Sequence, residues 1–87
     1  MLTLVIYDIS DNRERNQLIK TLQHHGLHRI QKSAFLGDLD SLARNDLASA
    51  VKGHLSGSKD SIYLVPICDK CKGLTTIFSE EERVLED

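Results

Sequence analysis

Residues 2–9 of the chain are almost continuously apolar, and Asp8 alone interrupts the run. A stretch this rich in β-branched and aromatic side chains predicts a central strand covered on both faces. In the polar segment that follows, Asp11 can accept a bond from a first-turn N–H while Glu14 reaches back, as in a capping box. A helix therefore begins here. Leu18, Ile19 and Leu22 supply its apolar stripe, His24 and His25 suit its negative end, and Gly26 provides a left-handed exit, giving a helix over about residues 12–25. Residues 27–38 alternate, but neither parity is cleanly apolar; this predicts two short strands, or one bent strand that changes face near Lys32. After the cap-type residues Asp38, Asp40 and Ser41, apolar positions from Leu42 to Leu55 recur at helical spacing, so a second helix covers about residues 41–54. Gly53, Gly57 and the Ser-Gly-Ser run close it. Residues 61–66 form a further apolar strand stopped by Pro66, and residues 67–73 a loop; residues 74–79 then form a last short strand before an acidic tail.

The order is β-α-β-β-α-β with an additional C-terminal strand, an α+β, ferredoxin-like arrangement with both helices on one sheet face. Residues 1–79 make a single domain, and residues 80–87 an acidic C-terminal tail. The other sheet face is left bare. Because the first and fourth strands are apolar on both sides, a second copy of the chain is the simplest cover, and a twofold homodimer is expected.

Composition narrows the classes. With 87 residues the chain holds one domain with a small core, and 40% hydrophobic and 28% charged residues exclude disordered and collagen-like classes. No stretch approaches the roughly 18 apolar residues of a membrane span, and the N-terminal run is too short for a signal sequence, so no membrane partner and a cytoplasmic location are expected. The net charge of -2 hides an asymmetry: residues 80–87 hold five acids against Arg83. Within residues 13–32 the bases Arg13, Arg15, Lys20, Arg29 and Lys32 face Glu14 alone, with His24, His25 and His28 alongside. This local basic region is either a solvated helix face or a phosphate-contacting one.

Asp8 is the first candidate for chemistry. A carboxylate in an apolar strand needs a hydrogen bond or a cation, so Asp8 either caps the following turn at Asn12 or Arg13 or holds a metal. Near a dimer axis, two copies of Asp8 would share a proton or bind a hard cation such as Mg²⁺, which can polarise a phosphodiester. Tyr7, on the opposite strand face from Asp8, and Phe35 can either stack on a base or join the core. The histidines lack the spacing of a metal pair. Cys68-Asp69-Lys70-Cys71 is a CxxC, but one copy gives two thiolates where structural zinc takes four, and the strand expected after it argues against a redox motif; free thiols or an incidental loop pair remain. No Gly-rich phosphate loop, GxSxG, HExxH or EF-hand pattern occurs.

The combination of Val5-Ile6-Tyr7-Asp8-Ile9, Asp11, Arg15, Gly26, the run Arg29 to Leu39, and the segments Asp60 to Tyr63 and Cys68 to Cys71 resembles the small CRISPR-associated proteins that partner the integrase in spacer acquisition and are described as metal-dependent endoribonucleases. The resemblance covers nearly the whole chain. It implies a ferredoxin-like homodimer in which Asp8 of both chains meet across the interface around a divalent metal, Mg²⁺. It also implies that Tyr7, Arg15, Arg29 and Phe35 surround that site and that the last strand pairs with the partner's sheet. Two positions depart from the family pattern: Gln17, where some relatives carry a base, and Ala34, where a β-branched residue is more usual. Two functions in spacer acquisition follow. One is a Mg²⁺-dependent endonuclease on RNA or DNA, with Asp8, Arg15 and Arg29 catalytic and with Tyr7, Arg13, Arg15, Arg29, Lys32 and Phe35 binding nucleic acid. The other is a non-catalytic bridge that binds duplex DNA and joins CRISPR integrase assemblies.

Overall fold

The computed structural model describes residues 1–80. Its elements run β1 (Leu2–Asp8), α1 (Asn12–His24), β2 (His28–Gln31), β3 (Ala34–Asp38), α2 (Ser41–Val51), a 3₁₀ turn (Lys52–His54), β4 (Ser61–Ile67) and α3 (Asp69–Leu74). The four strands form one sheet in the order β2-β3-β1-β4, with every neighbouring pair antiparallel. This is the ferredoxin-like order, and it puts β1 in the interior.

Strand periodicity divides the sheet into two unlike faces. On one, Thr3, Val5 and Tyr7 of β1 stand beside Phe35 of β3 and Ile62 and Leu64 of β4. Leu18 and Leu22 of α1 and Leu47 and Val51 of α2 close over Val5, Tyr7 and Phe35, with Leu27 and Leu39 completing the core. Burying one such side chain stabilises the fold by about 2 kcal/mol. Packing of this kind, more than propensity, holds a helix as polar as α1. The other face joins Leu4 and Ile6 to Ala34 and Leu36 on one side and to Tyr63 and Val65 on the other. Among the described residues no helix covers it; Leu36 is buried there, but Ile6, Tyr63 and Val65 remain 43%, 62% and 39% exposed. The expectation that β1 is covered on both faces thus holds for one face within the single chain.

Local signals explain most boundaries. Asp11 caps α1, its Oδ1 accepting from the N–H groups of Arg13 and Glu14 at 2.7 and 3.1 Å. Glu14 does not complete a capping box; its Oε2 lies 3.4 Å from His54 Nδ1, tying α1 to the 3₁₀ turn. Helix α1 ends on Gly26 at φ +87°, where Gly26 N–H donates to Gln23 O and Leu27 N–H to Leu22 O, the two bonds of a Schellman motif. β2 and β3 are the two short strands expected, and a bulge between Arg29 and Gln31 shifts the side-chain parity, which accounts for the mixed alternation of residues 27–38.

The C-terminal part differs from expectation. The segment expected as a loop folds into α3, with Cys68 as its cap, and residues 75–80 are not a strand. Asp69 sits in the first helical turn and Lys72 in the last, both favourable to the helix dipole, and residues 75–79 join no strand of the sheet. Beyond Glu80, the acidic tail lies outside the described residues. Among the described residues, no helix is long and apolar enough to cross a membrane.

Gly26→Ala should lower stability by about 1 kcal/mol, since an L side chain is strained at this positive φ. Urea denaturation followed by circular dichroism checks it; an unchanged midpoint would contradict the Schellman assignment.

Candidate functional site

Asp8 ends β1 opposite Ser61 of β4, on the face that no helix covers. It is exposed, and its carboxylate has no hydrogen-bond or ion-pair partner among the described residues. The capping role open to it falls to Asp11 instead.

Asp60, next to Ser61, takes up the loops around Asp8. Its Oδ1 accepts from the N–H and the hydroxyl of Ser10, each at 3.1 Å. Its Oδ2 accepts from the N–H groups of Ser56 and Gly57 at 3.2 and 2.8 Å and from the Ser56 hydroxyl at 3.4 Å. One carboxylate thereby ties the β1–α1 turn to the loop entering β4. A Cβ at Gly57 would stand 2.9 Å from Asp60 Oδ1 and 3.0 Å from Ser10 Oγ, so a larger residue there would push on the Asp60–Ser10 contact. The backbone N–H groups of Gly57 and Ser10, in that order, hold the Asp60 carboxyl down at about 2. Sequence reasoning did not single out Asp60 for this role; the signal was the Ser-Gly-Ser-Lys-Asp spacing, in which a carboxylate follows a small-residue turn.

Arg15 is half-buried and directed at the same turn: Nη1 donates to the Ile9 carbonyl at 3.0 Å and Nη2 to Asn12 Oδ1. The two residues after Asp8 are therefore held, Ser10 by Asp60 and Ile9 by Arg15.

Tyr7 and Phe35, 3% and 0% exposed, lie in the core, with their rings 6.2 Å apart. Neither presents a face on which a base could stack, which corrects that expectation. Tyr7 instead organises the basic hairpin. Its N–H donates to Ser33 O and its hydroxyl to Lys32 O, each at 3.1 Å, and the hydroxyl accepts from Arg29 Nη2 at 3.4 Å. The Arg29 guanidinium carbon also lies 5.5 Å from the centre of the Phe35 ring, a cation–π contact. Arg29 and Lys32 line a shallow depression with Ile30 and Gln31. Arg13 is exposed on the first turn of α1.

Among the described residues, no group of three or more His, Cys, Asp or Glu side chains is placed to hold a metal. Asp8 offers a divalent cation one carboxylate per chain.

Against this geometry, the family model described as CRISPR associated protein Cas2 matches residues 1–74. The chain belongs to the Cas2 family. This Cas2-family chain is 40% identical, over 91% of its length and 84% of the relative's, to the CRISPR-associated endoribonuclease Cas2 1 of Archaeoglobus fulgidus. It is also 31% identical, over 77% of its length and 25% of the other's, to a CRISPR-associated endonuclease Cas1/endonuclease Cas2 fusion of Thermoproteus tenax. The crystal structure of Streptococcus pyogenes Cas2 shares the fold, with a TM-score of 0.75 at 18% identity over 91% of this chain and 100% of that one.

The depressed Asp60 carboxyl has a pH consequence. Its charged form is favoured in the folded state, so the stability it contributes is full above the unfolded-state value of about 4 and is lost as pH falls towards 2. Asp60→Asn should be less stable than wild type at neutral pH and show a shallower decline between about pH 4 and pH 2. Urea midpoints across that range test it, and parallel declines would contradict the assigned role.

Proposed function

We propose that the chain acts as a homodimer in CRISPR spacer acquisition and hydrolyses nucleic-acid phosphodiesters at a site built from the Asp8 carboxylates of both copies and a divalent metal. One observation carries the reading: among the described residues the Asp8 carboxylate has no partner, while its neighbour Asp11 caps α1 and Asp60 is bound through both oxygens. A second copy docked on the open sheet face would cover Ile6, Tyr63 and Val65 and bring two Asp8 side chains towards one axis. Two carboxylates fit Mg²⁺, which accepts few protein oxygens and keeps several waters; when bound, the ion polarises a phosphodiester and acidifies a water.

The chain's own residues supply position and charge. Asp60 and Arg15 fix the backbone on the C-terminal side of Asp8, so the carboxylate is presented from a held turn. Arg29 and Lys32, set on a hairpin anchored by the Tyr7 hydroxyl, attract phosphates, and the donors of Arg15 not directed at Ile9 and Asn12 add to them. Arg13 extends the basic face along α1.

The Cas1/Cas2 fusion of Thermoproteus tenax supports the CRISPR integrase as a partner; in a second reading the dimer bridges integrase assemblies on duplex DNA without cleavage. The two readings part at Asp8. Labelled single-stranded RNA and duplex DNA incubated with wild-type and Asp8→Asn protein, in Mg²⁺ or excess chelator, test them. Hydrolysis is expected to need Mg²⁺ and to fall roughly 100-fold or more in the variant with binding retained. Salt-dependent binding without cleavage in the wild type would overturn the nuclease reading in favour of the bridge.

A further inference from the structure

The Cys68-Asp69-Lys70-Cys71 segment lies outside the Asp8 site. β4 ends at Ile67, Cys68 follows in extended backbone as the cap of α3, and Lys72 N–H donates to Cys68 O at 2.9 Å, which closes one helical turn around the two cysteines. Residues three apart share a helix face. Cys68 and Cys71 thus flank a single helical turn, the spacing at which an intramolecular disulfide can close. Both are free and exposed. The pair is unsymmetrical: the neighbouring Cys71 backbone N–H, ahead of the Cys71 thiol, draws the Cys68 thiol down, while the neighbouring Cys68 side chain pushes Cys71 up. One chain supplies only two thiolates, and no third His, Cys, Asp or Glu joins them among the described residues, so the pair is short of a tetrahedral zinc set.

We infer that Cys68 and Cys71 form a redox-active dithiol whose substrate class is a disulfide, with Cys68 the attacking and Cys71 the resolving thiol. The Cys68 thiolate attacks one sulfur of the substrate disulfide; a Cys68–substrate S–S bond forms, the substrate S–S bond breaks, and the departing thiolate takes a proton to leave as a thiol. Cys71 then loses its proton and attacks the Cys68 sulfur, which closes the intramolecular disulfide and releases the second substrate thiol. The protein loses two electrons and two protons, and the substrate disulfide gains them. The closed ring fixes the first turn of α3, which leads into a segment with Leu74 and Phe78 73% and 93% exposed.

The test equilibrates the full chain with glutathione and glutathione disulfide at graded ratios, quenches with an alkylating reagent and reads intact mass. The expected result is a single transition from two alkylated thiols to none, without linkage between chains. Cys71→Ser should accumulate one glutathione on Cys68, and Cys68→Ser should react with glutathione disulfide about tenfold more slowly than Cys71→Ser. Two alkylated thiols at every ratio, disulfides only between chains, or equal rates in the two variants would overturn the inference.

Discussion

Strand β1 lies between β3 and β4 and presents apolar side chains to both sides of the sheet, whereas α1 and α2 cover one side. The fold follows from that imbalance. Val5 and Tyr7 nucleate a core with Phe35, Leu18, Leu22 and Leu47, while Leu4 and Ile6 belong to an apolar face that one chain leaves open beside Tyr63 and Val65. Asp8 ends the same strand on that open face, so the residue with the most available chemistry and the surface most in need of cover are parts of one element.

The site is shaped by side chains that first hold the backbone around it. Asp60 and Arg15 hold the backbone after Asp8, and Tyr7 holds the hairpin that carries Arg29 and Lys32. These are buried-stem or carboxylate contacts to backbone groups, which satisfy loops that would otherwise need water. They also separate two roles that the motif residues share in sequence: Tyr7 and Phe35 support the basic hairpin from beneath, whereas Arg29 and Lys32 are exposed on it.

Much of this was legible in the sequence. The apolar run of β1, the Asp11 cap, the Gly26 exit and the helical spacing of Leu42 to Val51 each have one cheap structural solution, and the structure adopts it. Asp8 stood out because it was the one charge in that run. What was hidden depends on contacts between distant segments. The Asp60 carboxylate meets Ser10, fifty residues away, and no local pattern reports that pairing. Glu14 turned from the cap to His54 for the same reason. The C-terminal misreading arose locally: Thr75, Thr76, Ile77 and Phe78 have strand propensity, but a strand requires a ladder partner, and Gly73 does not prevent a six-residue helix capped at Cys68.

The central claim is that the open sheet face is where two copies meet. Sedimentation equilibrium of the wild type and of Ile6→Glu at micromolar concentration tests it most directly, with far-UV circular dichroism to confirm that both are folded. The account expects a dimer for the wild type and a folded monomer for the variant, because a carboxylate at this exposed position is harmless to one chain and costly inside an apolar interface. A wild-type monomer, or a dimer that survives the substitution, would contradict it.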